Sequence, residues 1–436
     1  MPTGKPDDMM TAWSRRLAYA GIFLIPYTRI RGGGIQVSDL IFVIAIIVLA
    51  FSKRRAKIGP MAVAWHFAIF IIVIGGIGAS VNAVSPSASI LVIARMVFVI
   101  LFWPWVIRHV LVEERLKHQA MYAFVLGCAV SGAVEVLQTK FHVLILPVVG
   151  STTGRATAFT IQPNELGACL ALGITFAVGL TLQLGAGRYF HRIVSVGLIA
   201  IGLILSGSVS SMFAALAGCL VLLIRRRVSL RTVLVTLVAI VVIYMGGTSL
   251  LGSNSKSLNP IARFEQTVGN GQSSNTGSAR ISTDKGAWHG IVDDPVFGHG
   301  LDQTSSIVYW DPYLGVPYQT HNFVLMIWFQ GGLLFLLGCL VAIISAFRRV
   351  SGVRRRDPTR DIIFSGAIAS LIYSMTAPVI FQTWFWLPFV LAMTYSLTRT
   401  PAQTQRSAER PASAGNRHVN ARAGRVTALS VPGSGS

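Results

Sequence analysis

Apolar runs of about 20 residues, almost free of charge inside, recur along the chain, and each suits a helix crossing the roughly 30 Å hydrocarbon core of a bilayer. In lipid every backbone N–H and C=O must be satisfied within the protein, which a helix does by itself. The runs lie at approximately 17–30, 35–51, 60–82, 88–107, 118–138, 163–183, 192–206, 208–224, 230–250, 321–347, 361–377 and 380–397. They predict an all-α polytopic membrane protein with about 12 transmembrane helices. Composition agrees: 12% of residues are charged, against roughly 25% in soluble proteins, and 53% are hydrophobic. A soluble globular enzyme, a disordered chain and a fibrous protein are excluded.

The net charge of +21 comes from 30 Arg and 7 Lys against 16 acidic residues. Such a balance also suits nucleic acid, but the basic residues sit in short clusters between apolar runs, such as Lys53-Arg54-Arg55, Arg225-Arg226-Arg227 and Arg354-Arg355-Arg356. No aromatic residues interleave with them as a strand-binding channel requires, so no nucleic-acid partner is expected. With 12 spans, 28 basic residues fall on one side and 8 on the other (Arg29, Arg31, Lys140, Arg155, Lys256, Arg263, Arg280 and Lys285), while Arg95 lies inside a span. The positive-inside rule then places both termini in the cytoplasm of a multi-pass inner-membrane protein.

The expected organisation is a cytoplasmic N-terminus (1–16), transmembrane helices one to nine (17–250), and a large external, periplasmic-side loop (251–320). Transmembrane helices ten to twelve (321–397) and a disordered, basic cytoplasmic tail (398–436) follow. The four cysteines, Cys128, Cys169, Cys219 and Cys339, all fall within spans, and no loop cysteine offers a disulfide framework or zinc site. No His, Cys and carboxylate spacing matches a closed metal site; Asp293-Asp294 precedes Pro295 and reads as a turn. Neither a metal nor another cofactor is expected.

The loop at 251–320 holds 6 of the 16 acidic residues. A connection this long, about 70 residues, is usually functional. From Ala279 its composition allows a short interfacial helix, with Ile281, Ala287, Trp288 and Ile291 on one face, and Gly298-His299-Gly300 marks a turn. It ends in Thr320-His321-Asn322, immediately before an apolar run, so His321 heads a helix. The positive end of a helix dipole disfavours imidazolium, which suits a general base; a histidine there also serves structurally by hydrogen-bonding the first turn. Arg155, Arg280 and, more weakly, Arg263 and Lys285 are cations on the external side, against the positive-inside bias. Anion binding through bidentate Arg forks accounts for such cations, and so does anchoring in lipid headgroups. Inside the membrane Arg95, Glu135 and Glu165 are costly, and pairing of Arg95 with Glu135 is the expected structural solution. Ser206 to Ser211 forms a polar kink that could line a cavity.

Three stretches carry a resemblance. They are Gly154-Arg155 to Phe159 with Gln162-Pro163-Asn164; Arg280 and Trp288 with Asp294-Pro295 and Phe297-Gly298-His299-Gly300; and His321-Asn322 with Gln330-Gly331-Gly332-Leu333-Leu334. In this order, around a large loop, the chain resembles the O-antigen ligase and O-antigen polymerase superfamily of bacterial membrane glycosyltransferases. The early Val37-Ser38-Asp39-Leu40 is similar too. Where many members carry a Ser-Arg pair after the seventh span, this chain reads Ser210-Ser211.

The resemblance implies a metal-independent glycosyltransferase of cell-surface polysaccharide assembly. Its donor would be a glycan on a polyprenyl diphosphate, its acceptor a glycan or lipid hydroxyl at the outer face of the cytoplasmic membrane. Membrane lipids would be its other partners. By carry-over, His321 would activate the acceptor and Arg280 would neutralise the diphosphate, with Arg155 assisting; Asn322, Arg263 and Trp288 complete the expected substrate-binding set. The alternative class is a secondary transporter or flippase of a lipid-linked or small anionic substrate. Such proteins tend to use internal repeats and paired broken helices, and the sequence displays neither.

Overall fold

The computed structural model describes residues 9–32, 35–52, 61–141, 157–184, 190–228, 275–311, 316–352 and 357–395. The expected span at 230–250 and the tail at 398–436 lie outside the described residues. Described helices are α1 (Met9–Leu24), α2 (Val37–Ala50), α3 (Val63–Val81), α4 (Pro86–Val110), α5 (Glu114–Phe141), α6 (Pro163–Leu184), α7 (Phe190–Leu205) and α8 (Val209–Arg226). They continue with α9 (Asn275–Asp293), α10 (Phe323–Val350), α11 (Pro358–Ser374) and α12 (Thr383–Ala392). A π-helical turn, Phe98–Phe102, lies within α4. Two short antiparallel hairpins complete the described elements: β1 (Arg31–Gly32) with β2 (Ile35–Gln36), and β3 (Ile307–Asp311) with β4 (Val316–Gln319).

The protein is mostly helical, and six of its described helices are long and apolar enough to cross a membrane: Val63–Val81, Pro86–Val110, Glu114–Thr139, Pro163–Gln183, Val209–Arg226 and Phe323–Val350. Three shorter ones, Val37–Ala50, His191–Leu205 and Thr383–Ala392, are also apolar. Side chains are distributed as a bilayer demands. On α8, Phe213, Leu216, Leu220 and Ile224 form an outward stripe at helical spacing, while Ser211, Ala214, Ala215 and Gly218 turn inward. The first helix runs from Met9, earlier than the apolar run that starts at residue 17, and its chain turns after Leu24.

Close approach between helices relies on small residues. Gly75 of α3 lies against the backbone of Phe335, and Gly338 of α10 lies against Ile72 and the Ala68 carbonyl, so α3 and α10 pack nearly backbone to backbone. At the α7–α8 turn, Ser206 and Ser208 sit with Ser211, all buried, around Gly167 of α6. Ser211 Oγ donates to Ser208 Oγ at 2.7 Å, so the buried part of the serine kink is a packed hydroxyl knot.

The feature that most shapes one end of the bundle is a break in α10. Gly332 has φ +70° and non-helical backbone inside an otherwise continuous apolar helix. A straight helix would separate Phe323 from Phe347 by about 36 Å. Instead Phe323 touches Phe385, Phe385 touches Phe389, and Phe389 touches Phe347, with ring centroids 5.5, 5.3 and 5.8 Å apart. The arm before the break thus turns sharply toward the bundle. Its freed backbone groups are taken by the segment after α9: the N–H groups of His299 and Gly300 donate to the carbonyls of Phe329 (3.0 Å) and Gln330 (2.9 Å), and the Leu333 N–H donates to Pro295 (2.9 Å). A Cβ at residue 332 would run into the Val296 carbonyl and require a positive φ. Gly332→Ala is therefore expected to destabilise the protein by about 1–3 kcal/mol, read as a lower midpoint of thermal unfolding in detergent; an unchanged midpoint would show that the bend carries no such constraint.

Candidate functional site

The bent arm of α10 brings together the end of the β3–β4 hairpin, the helix α9 and the residues just ahead of α10. Helix α9 packs on α10 through Ala287 and Ile291 against Phe329, and on β3 where Gly286 meets the Val308 carbonyl. Ile281 and Trp288, expected on the same face, lie instead on the exposed side. They lie nearly in line at 100° per residue, whereas Ala287 and Ile291 fall roughly 60–120° away. Trp288 meets Trp328 edge to face, centroids 6.1 Å apart, and lines an open groove of about 400 Å³ with Ile281, Asp284, Lys285, His289 and Leu325.

His321 is the best-defined member. Its Nδ1 lies 2.9 Å from the Gln319 carbonyl. A carbonyl only accepts, so Nδ1 carries the proton and a neutral ring keeps its lone pair on Nε2. Burial, and then the Arg280 guanidinium, hold the imidazole below its ordinary proton affinity; the Gln319 carbonyl and Asp284 pull the other way. Asp284 is tied to the residue before the histidine, its Oδ1 accepting from Thr320 Oγ1 at 2.7 Å. Arg280, one turn before Asp284, makes no ion pair with any described residue. Asp284 was not singled out from the sequence; its spacing of four from Arg280, on a helix, is the signal that could have found it.

Asn322 caps α10, its Oδ1 accepting from the N–H groups of Val324 (3.0 Å) and Leu325 (3.3 Å). Asn322→Ala is thus expected to cost about 1 kcal/mol of stability, whereas Asn322→Ser or Asn322→Asp keeps a cap and most of that stability in thermal unfolding. Arg155 and Arg263 lie outside the described residues.

Other expectations are corrected. Arg95 does not pair with Glu135: its Nε binds Asp39 Oδ2 at 3.2 Å, joining α4 to the first turn of α2. Glu165 is buried and accepts from the Ile161 N–H. His299 in the expected turn is half-buried, with Nε2 2.9 Å from the Gly290 carbonyl and its ring on Phe329, so it fastens α9 to the α10 break. Asp294 accepts from Phe297 N–H and Asn82 Nδ2, in keeping with a turn. Among the described residues no group of three or more His, Cys, Asp or Glu could hold a metal ion.

The fold and this cluster define a helical, multi-pass type of membrane protein with a polar cap of α9 and a hairpin at the bent helix. Residues 194–340 match the family model described as O-Antigen ligase, a stretch running from α7 into α10 and including Arg280 and His321. The O-antigen ligase superfamily resemblance therefore holds, and it supports a membrane glycosyltransferase-like role. No curated protein and no solved structure matches this chain.

Proposed function

We propose that this protein transfers a glycan from a polyprenyl diphosphate carrier to an acceptor hydroxyl at the external face of the inner membrane, in cell-surface polysaccharide assembly. The observation that carries this reading is the pairing of a neutral His321, proton on Nδ1 and lone pair on Nε2, with an Arg280 that has no carboxylate partner among the described residues.

In the reaction Nε2 of His321 takes the proton of the acceptor hydroxyl. The acceptor oxygen forms a bond to the anomeric carbon as the bond from that carbon to the diphosphate oxygen breaks. The electron pair leaves with the diphosphate, whose added charge Arg280 stabilises. Neither step calls on a metal or a nucleotide sugar. Arg155 and Arg263 are assigned to the donor's phosphates, and Trp288, exposed at the groove, to the carrier or the sugar. Asn322 serves through its cap.

The broken helix α10 is a device that transporters also use. Here the carbonyls of Phe329 and Gln330 and the Leu333 N–H are already engaged by residues 295–300, which favours a structural bend over an ion or substrate site. The test is vesicles holding the purified full-length protein with a synthetic polyprenyl diphosphate-linked glycan and candidate acceptors. Release of the free polyprenyl diphosphate together with a glycosylated acceptor supports transfer; an intact lipid-linked glycan merely moved between leaflets contradicts it.

A further inference from the structure

The charged groups of α9 that act on His321 are Arg280 and Asp284, one of each sign, four residues apart and so about 6 Å along the helix axis. The hairpin contributes a neutral partner, the Gln319 carbonyl, and the first turn of α10 is capped by the uncharged Asn322. Asp284 does not reach the imidazole through a bond of its own. It holds the hydroxyl of Thr320, which is 1% exposed and covalently next to the histidine. Other ties of α9 to the arm and hairpin among the described residues are the apolar contact of Ala287 and Ile291 with Phe329, the edge-to-face meeting of Trp288 and Trp328, the close approach of Gly286 to Val308, and the His299 bridge. Asp284–Thr320 is thus the polar bond that sets how Arg280 stands relative to the base. Asp284 also lines the groove, so its carboxylate is not sealed away from an arriving ligand.

We infer that Asp284 is a positioning residue for His321, and that it makes the base respond to the donor: through Thr320 it fixes His321 and Arg280 in one frame, so that a diphosphate bound at Arg280 strengthens the base beside it. The Arg280 charge opposes protonation of the imidazole, with Asp284 as the counterweight. A diphosphate neutralises that guanidinium and brings negative charge of its own. The histidine then gains proton affinity when a leaving group is in place, and the acceptor is not deprotonated without a donor. This inference rests on the reading of His321 as the general base.

The experiment follows the His321 ring by NMR in the histidine-labelled, full-length protein in nanodiscs, with its signal assigned by loss in His321→Gln. Inorganic diphosphate is the probe. The expected result is a titration midpoint raised by roughly one pH unit with diphosphate, and no such rise in Arg280→Gln. Asp284→Asn, which still accepts from Thr320, lowers the midpoint by roughly half a unit without changing the thermal unfolding midpoint. Thr320→Val keeps the charge but removes the tie, and splits or broadens the His321 signal. A purely structural Asp284 predicts an Asp284→Asn midpoint equal to wild type. That result, or a wild-type midpoint unmoved by diphosphate, overturns the inference. Because these readouts are equilibrium titrations, they stand apart from transfer: an active His321→Ala would sink the base assignment even if every titration came out as expected.

Discussion

Transfer falls by about 10²–10⁴ in His321→Ala, and to a similar extent in His321→Gln, while the protein folds and inserts normally. Gln is the sharper variant, since it remains neutral and polar beside the Gln319 carbonyl but has no lone pair of comparable basicity. The pH dependence follows from the direction of the shift. The working base is neutral imidazole, and burial and Arg280 hold its proton affinity below the ordinary histidine value. Wild-type transfer therefore stays level as pH drops through neutrality and declines only below about pH 6.5, where the imidazole takes its proton. Rates at limiting donor, which report the donor-free protein, measured across pH with thermal unfolding alongside, check this. A donor that raises the proton affinity of His321 would place the decline at higher pH in saturating than in limiting donor.

The second large effect is at Arg280. Arg280→Gln lowers transfer by about 10²–10³, the size associated with losing one donor to a developing oxyanion. Arg280→Lys recovers only part of it, because a point charge replaces a planar fork that can hold two phosphate oxygens at once. The split between constants matters: a loss mainly in kcat places Arg280 on the leaving group in the transition state, while a rise in KM alone makes it a ground-state anchor. The same variant should lose the diphosphate-induced shift of His321, joining the two residues in one site.

Much of this was legible in the sequence because hydropathy and charge act over whole segments. Runs of apolar residues between basic clusters mark membrane helices whatever their packing. The order Arg280, turn at 294–300, His321 also marks the cap. What was not legible depends on single dihedrals and on which helices become neighbours. Gly331-Gly332 within an apolar run reads as a packing stripe as readily as a break, and only the docked 295–300 segment makes a positive φ at Gly332 favourable. Asp39 precedes Arg95 by 56 positions, and no periodicity links them; their meeting follows from α2 and α4 lying side by side. The four apolar residues of α9 span one arc of about 120°, of which only the Ala287–Ile291 edge meets the α10 arm, and which edge a neighbour covers is not written in the spacing. Asp284 is not marked by the sequence even within the expected helix, since a single carboxylate four residues from an Arg reads as an ordinary solvated pair until Thr320 is seen beside it.

The most direct test of the central claim is a glycan profile of a deletion strain rescued with wild type, Arg280→Gln or His321→Ala, resolving lipid-linked from surface glycans. Wild type is expected to restore surface glycan, while both variants, present in the membrane at wild-type levels, leave glycan on the polyprenyl carrier. Single repeat units stranded there would mark a polymerase, and full-length chains a ligase. Rescue by His321→Ala equal to wild type would mean that His321 is not the base and that the protein acts as a transporter.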